Sequence, residues 1–443
     1  MEYTTLDQII GKCKEIKNKK IKDILTSKNV QESKEKDQLE NLIKKEVFNI
    51  LLKKNNDNNF DKLGIQLKVT ALLKYKKPDN EGRKYKAKEI ISLGTITDQA
   101  ILDEPSFEKS SIYTKMQKTL YVFYEYRYDK PMLDWKIIDF KYVELDSSTN
   151  IKVLSDDYES IFSKIKKGNV EDLTQSSTEQ LAIMIEQPNL KASSTTRGFC
   201  LKPNYVNKIF YGEGIKSNDG EVMLSIVNKI QPFHGLSIGE IYKEMNITIP
   251  EAKNQKDAIV NKLLGTKSYE NIANIKQSNF KIKHVELKNN GKLKEDLGLM
   301  TVNSYEFIND VPFNESELYT FLISYKFILI VWQKRGEESV FKDIMLFQFD
   351  DKLIKKAEFV YNDTKEKFLV GMDLERVGDR TMSNLIHKSS NMGILLRPHS
   401  QNSKDTMTTP FGQVITKQQY WLNSSEVERV IGSIKEVNNT EVE

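Results

Sequence analysis

Apolar residues recur at spacings of three and four in two stretches near the start of the chain: Leu6, Ile9, Ile10 and Cys13, then Leu39, Leu42, Ile43, Val47, Ile50 and Leu51. That period predicts helices over residues 1 to about 55, separated by an exposed charged turn from Lys28 to Asp37. Asn55-Asn56-Asp57-Asn58-Asn59 breaks the pattern. The period then switches to two: Ile65, Leu67, Val69 and Ala71 alternate with Gln66, Lys68 and Thr70, which predicts a strand. Ile90 to Leu93, Leu120 to Tyr126 and Trp135 to Val143 follow as strands, and Tyr158 to Lys167 returns to helix. Strands enclosed by helices in this order predict an α+β domain with a mixed sheet.

The second half repeats the plan. Ile238 to Tyr242 and Ala258 to Leu264 read as helices, and Ile282 to Leu287, Phe327 to Trp332 and Asp343 to Phe349 read as strands. Thr195-Thr196 and Thr408-Thr409 open corresponding segments that end near Ile209 and Val430. The sharpest internal echo joins Phe60-Asp61-Lys62-Leu63-Gly64-Ile65-Gln66-Leu67-Lys68 to Phe280-Lys281-Ile282-Lys283-His284-Val285-Glu286-Leu287-Lys288, each preceded by an asparagine, Asn59 and Asn279. The polar stretch from Tyr211 to Gly220 is a linker by composition. Two tandem domains are expected, 1–213 and 214–443.

Composition changes this picture little. The 443 residues carry a net charge of only +4, yet 67 Lys and Arg supply many phosphate partners if one face gathers them. Two cysteines in unrelated contexts and four scattered histidines argue against a disulfide framework, a structural zinc and a His-based metal site. No run of about 18 apolar residues appears and Met1-Glu2-Tyr3-Thr4 lacks a signal-peptide pattern, so a cytoplasmic protein with no membrane partner is expected.

The duplicated strand carries chemistry. Hydrolysis of a phosphodiester with magnesium needs two carboxylates to hold the ion, which activates water and stabilises the pentavalent transition state. A lysine two residues beyond the second acid shares its strand face and can orient the water. Acid-x-Lys is common by chance, and its meaning depends on its surroundings.

Those surroundings resemble a known family. Phe60 to Thr70, reading F-D-K-L-G-I-Q-L-K-V-T, is similar to the Gly-Val-Glu-Leu-Lys-(Ala/Thr) core of the MutH-like nucleases. The family joins the mismatch-repair nickase MutH with the two-domain type II restriction endonucleases that cut at GATC. Arg197-Gly198-Phe199-Cys200-Leu201-Lys202 resembles its Arg-Gly-Phe-Tyr-Leu-Lys block. Leu396-Arg397-Pro398-His399 with Thr416 to Asn423 looks like the C-terminal domain of the two-domain enzymes. The resemblance implies two tandem MutH-like domains with a mixed-sheet restriction-endonuclease-like fold, acting on double-stranded DNA with Mg2+.

Carried over residue by residue, Lys68 matches the catalytic lysine and Glu46 the helix glutamate, allowing one deletion. Asn59 stands where the first metal-binding aspartate belongs and Gln66 where the second acid belongs. Neutral amides hold magnesium poorly, so hydrolysis is expected to be weak or lost, unless Asp57 or Asp61 supplies an acid from a shifted position. In the second copy Glu286 and Lys288 keep the pair, but Asn279 again replaces the aspartate, His284 the glycine, and Asn261 falls near the helix glutamate's place. That half is expected to be a non-catalytic DNA-binding effector.

For DNA contact the sequence offers Lys115 and Lys118 before a buried strand, the block Arg197, Gly198, Phe199 and Lys202, and Arg397, His399 and Lys417 in the second domain. Phe199 also reads as a core residue. Cys200 replaces the tyrosine through which the family senses adenine methylation. The resemblance further implies a homodimer or DNA-looping assembly and a cognate methyltransferase. The alternative is a non-catalytic DNA-binding or regulatory partner of a restriction-modification or defence system.

Overall fold

Thr5 starts the first helix by accepting from the backbone N–H of Gln8, while the Gln8 side chain reaches back to the Thr5 N–H. The computed structural model describes residues 3–26, 38–50, 59–79, 82–145, 149–169, 173, 178, 181–184, 196–213, 219–248, 255–266, 279–377, 380–387, 390, 392–399 and 405–431. The expected turn from Lys28 to Asp37, the breaker residues Asn55 to Asn58 with Asp57, and Thr195 lie outside the described residues. The chain divides into two compact units, Met1–Ser217 and Asn218–Glu443.

In the first unit α1 (Leu6–Ile16), α2 (Ile21–Ile24) and α3 (Gln38–Leu42) precede a π-helical turn, Ile43–Val47. The sheet strands β1 (Gln66–Lys74), β2 (Tyr85–Ala87) and β3 (Ile91–Thr97) follow, then α4 (Asp98–Asp103), α5 (Ser111–Met116), β4 (Lys118–Glu125) and β5 (Lys136–Glu144). Helix α6 (Thr149–Lys166), strands β6 (Leu181–Met184) and β7 (Thr196–Leu201) and helix α7 (Pro203–Tyr211) complete it. The main sheet runs β2-β1-β4-β5, with β1 and β4 parallel and both outer pairings antiparallel. A second sheet runs β3-β7-β6, antiparallel throughout.

Both faces of the main sheet are covered, which is why β4 is an almost unbroken apolar run. Leu67, Ala71, Leu120 and Val122 pack with Ile9 and Cys13 of α1 and Leu39 of α3. The intervening Leu72, Tyr121 and Phe123 pack on the other side with Tyr158 and Ile161 of α6 and Tyr205 of α7. Period-two alternation alone assigns these residues to the two cores, and full burial of each large side chain contributes about 1.5–3 kcal/mol.

The second unit opens with α8 (Asp219–Ile230), α9 (Ile238–Glu244) and α10 (Gln255–Leu263), then β8 (Phe280–Leu287), β9 (Leu297–Thr301), α11 (Ser304–Ile308) and α12 (Glu317–Ser324). Strands β10 (Lys326–Arg335) and β11 (Glu338–Phe347) lead to the long α13 (Asp351–Val370). Beyond it lie β12 (Leu374–Val377), β13 (Arg380–Ser383), β14 (Ile394–Pro398), β15 (Thr406–Thr408), β16 (Val414–Thr416), β17 (Gln418–Leu422) and a helix over 424–431, α14. Here β8 and β10 are parallel, β10 and β11 antiparallel, and a second antiparallel sheet runs β14-β17-β9.

Strand order and direction thus recur from unit to unit, but the sequence echo does not mark equivalent places. Gln66 opens β1 and lies opposite Thr119, near the start of β4. Glu286 sits near the end of β8, opposite Trp332. The residue opposite the second position of β10, Phe327, is Lys281. A better structural repeat is Phe107-x-x-Ser110-x-x-Tyr113 against Phe313-x-x-Ser316-x-x-Tyr319. In each, the serine hydroxyl donates to the phenylalanine carbonyl, 2.6 and 2.7 Å, and accepts from the tyrosine N–H at 3.0 Å. Each serine thereby caps the helix that leads into the parallel strand, α5 or α12.

Candidate nuclease-like cleft

The segment before β1 folds back on its own strand. Asp61–Leu63 forms a 3-10 turn closed by Gly64 at φ 63°, a left-handed conformation that favours glycine. This brings Asn59 beside the start of β1, where its Oδ1 accepts a 2.7 Å bond from the Leu67 N–H, and its own N–H donates to the Ile65 carbonyl at 3.2 Å. Asn59, Gln66, Lys68 and Thr70 then line one cleft of about 390 Å³, together with Glu40 and Lys44 from α3 and the π turn, Glu89, Ser92 and Gly94 around β3, and Lys115 from α5. Gln66 is 5 % exposed and Thr70 is 2 % exposed.

The interactions in the cleft are specific. The Lys68 ammonium donates to the Ser92 carbonyl at 2.9 Å. Glu40 pairs with Lys44 at 2.5 Å and accepts from the Val69 N–H at 3.3 Å. Glu89 pairs with the buried Lys88 at 3.4 Å. Gly94, at φ 102°, lies under Lys115: a Cβ there would stand 3.0 Å from its Nζ. The Thr70 hydroxyl is buried without a hydrogen-bond partner among the described residues.

Three of the four expected catalytic positions, Asn59, Gln66 and Lys68, therefore meet in one place. The fourth does not: Glu46 is not among the lining residues, and its carboxylate accepts from the Thr26 hydroxyl. Glu40 is the helical glutamate that lines the cleft. It shares a helix face with Lys44, whereas Glu46 lies within the π turn. Asp61 is exposed and does not line the cleft, so it supplies no acid there. Asp57 lies outside the described residues.

Of the expected DNA contacts, Lys115 lines the cleft, while Lys118 faces Glu144 across an exposed 3.5 Å pair. The Arg-Gly-Phe block forms β7, the middle strand of the second sheet. Gly198 lies opposite Thr95, and Phe199 and Cys200 are fully buried. Arg197 is held by Asp98 through two bonds of 2.5 and 2.9 Å, and Lys202 is buried with its ammonium on the Thr178 carbonyl. A buried bidentate pair belongs to packing rather than to a phosphate.

In the second unit Glu286 of the retained acid-x-Lys pair is tied into the fold. Glu286 accepts from Lys256 at 2.7 Å, Lys294 at 3.1 Å and the Ser339 hydroxyl. Burial disfavours its charged form, but hydrogen bonds from Lys256 and Ser339 and the charge of Lys256 outweigh it and hold the carboxyl at about 2. Lys288 is exposed, Asn279 is buried, and His284 accepts from the Trp332 indole at 3.0 Å. Asn261 lies on α10. Arg397 stacks over Trp421 at 5.0 Å and pairs with buried Asp296 at 3.1 Å; His399 packs edge-on against the same ring at 5.9 Å. Lys417 pairs with Asp405.

A mixed sheet whose parallel strand delivers an amide-x-Lys pair and an asparagine to one cleft has the layout of a restriction-endonuclease-type domain. Residues 48–157 match the family model of the DNA mismatch repair enzyme MutH, which supports a MutH-like domain of that type in the first unit. The matched span includes Asn59, Gln66, Lys68 and Lys115 and leaves out Glu40, Glu46 and β7. A comparison with curated proteins finds no match to the chain. No described helix is long and apolar enough to cross a membrane.

MutH-like nucleases use a divalent metal, and the described donors of the cleft do not fit one. Asn59 and Gln66 are neutral, the Asn59 Oδ1 already accepts from the Leu67 N–H, and Glu40 and Glu89 are each tied to a lysine. Among the described residues no group of three or more His, Cys, Asp or Glu is placed to hold a metal ion.

Proposed function

We propose that the protein binds duplex DNA as a relative of the GATC-cleaving type II restriction endonucleases, and that magnesium-dependent hydrolysis is weak or lost. The observation that carries this reading is that Asn59, Gln66 and Lys68 line one cleft; by the resemblance Lys68 has the catalytic lysine's place and the two amides the places of the metal-binding acids. An amide oxygen carries no formal charge, and a hard cation draws its affinity from carboxylate charge.

The second unit, taken from residue 214 onward, is read as a tandem MutH-like domain that contacts DNA without cutting it. Its recurring strand order supports this, as does Arg397 stacked on Trp421, a cation held on an aromatic platform. A chain that binds and does not cut suits a regulatory or specificity partner in a restriction-modification or defence system, working beside an active enzyme and a cognate methyltransferase. Looping of DNA by a homodimer belongs to the same reading.

The test is incubation of the purified chain with unmethylated, hemimethylated and fully methylated GATC plasmids in magnesium and in manganese, with Lys68→Ala as control. Retention of the plasmids in gel shift without nicking is expected. Lysine-dependent cutting would overturn the loss of catalysis, and absence of any binding would overturn the DNA reading.

A further inference from the structure

We propose that the cleft of the first unit binds a phosphate group directly, with no bridging divalent cation, because the two amides have inverted the sign of the site. This deepens the reading of the domain as a DNA-binding nuclease relative and rests on it.

Charge comes first. Among the described residues the lining carries three lysines, Lys44, Lys68 and Lys115, against two glutamates, Glu40 and Glu89. Carboxylates at 59 and 66 would raise the acids to four and make the cleft acidic, ready for a cation. With amides there it is basic, ready for an anion.

Hydrogen-bond polarity agrees. The backbone N–H of Leu67 can only donate, so it fixes which end of the Asn59 amide it meets, and that end is Oδ1. The NH2 that Asn59 turns away from this bond is a donor. An aspartate would leave an acceptor instead. Thr70 adds a hydroxyl that is buried, unpartnered among the described residues and part of the cleft lining.

Space permits the same ligand. Gly94 at φ 102° gives the Lys115 ammonium its room at the wall, and the cleft of about 390 Å³ admits a phosphodiester with its sugars. The two glutamates do not oppose entry as bare charges, since Lys44 and Lys88 pair with them. The ligand is a phosphate monoanion or dianion, in the backbone of a duplex or free in solution.

The test measures fluorescence anisotropy of a labelled GATC duplex, and calorimetry with inorganic phosphate, on the full chain in EDTA, magnesium and calcium. Wild type should bind the duplex equally, within about twofold, in EDTA and in magnesium. Gln66→Glu, checked for an unchanged melting temperature, should weaken duplex binding in EDTA about a hundredfold, the effect of a unit charge beside the phosphate, and calcium should restore it. Lys115→Ala should weaken it about tenfold in every buffer. Inorganic phosphate that displaces the duplex places the backbone phosphate in the cleft. Phosphate that binds wild type but not Gln66→Glu, in a chain that binds no duplex, leaves the anion site standing and removes the DNA reading. Equal duplex binding by folded wild type and Gln66→Glu in EDTA, with no phosphate uptake, overturns the proposal.

Discussion

Asn59 accepts through Oδ1 a 2.7 Å hydrogen bond from the backbone N–H of Leu67. An aspartate can make the same bond with one oxygen and keep the other for a cation, so Asn59→Asp should fold as wild type does. Paired with Gln66→Glu it recreates two carboxylates beside Lys68. The double variant should bind calcium or manganese measurably by calorimetry where wild type binds neither, and should nick GATC plasmid in magnesium, each single variant doing less. A folded double variant that takes up no cation would mean that Asn59 and Gln66 are not the metal positions.

Arg197 and Asp98 form the second informative pair. The guanidinium is 6 % exposed and joins β7 to the first residue of α4 through two hydrogen bonds. Truncating one partner of such a pair leaves the other charge poorly solvated and costs about 3 kcal/mol. Arg197→Ala should therefore lower stability by about that much in urea denaturation, with duplex affinity of the folded protein changed less than about threefold. A tenfold loss of affinity at unchanged stability would return Arg197 to the DNA surface.

Glu286 gives the second unit a pH signature. Its folded carboxyl titrates at about 2 against an ordinary 4.5. A depressed folded pKa contributes stability that is complete above the unfolded value and is lost as pH falls through the folded one. The loss thus spans about pH 5 down to pH 2, where Lys256 stays protonated. Burial lowers the Lys256 pKa even beside its partner, so that shift acts only at alkaline pH. Glu286→Gln should flatten the acid limb of urea stability by about 2 kcal/mol between pH 6 and 3. An unchanged acid limb would deny the network its role.

Much of the first unit is legible in the chain because alternation fixes faces. Leu67, Ala71 and Leu72 declare their two cores, and Gln66 and Lys68 follow into one cleft. The resemblance, allowing one deletion, selects Glu46 as the helix glutamate, but Ile43–Val47 widens into a π turn and it is Glu40, before that turn, that lines the cleft. The Arg-Gly-Phe block looks cationic in sequence, but Asp98 neutralises Arg197 and the Lys202 ammonium is bonded to the Thr178 carbonyl. The echo at Phe280 to Lys288 misleads because a strand of alternating Lys and apolar residues matches another in several registers, and the ladder to β10 decides which. The serine caps at 110 and 316 were the clearer repeat, readable as Phe-x-x-Ser-x-x-Tyr-Thr.

Arg397 carries the last prediction. It lies on the second sheet of the second unit, half exposed, with its guanidinium over Trp421 and one nitrogen 3.1 Å from Asp296. Asp296 also accepts from the Ser424 N–H at 3.0 Å, so it remains partnered when Arg397 is removed. A cation oriented by a ring and a buried acid meets a phosphate at little entropic cost. Arg397→Ala should weaken duplex binding about tenfold at 100 mM salt and reduce the slope of log K against log salt by about one. Arg397→Lys should recover the slope but not the affinity, because an ammonium keeps the charge and forfeits the planar stack. If both variants leave affinity and slope at wild-type values, the Arg397–Trp421 stack only clamps β14 to β17 and the second unit's DNA surface lies elsewhere.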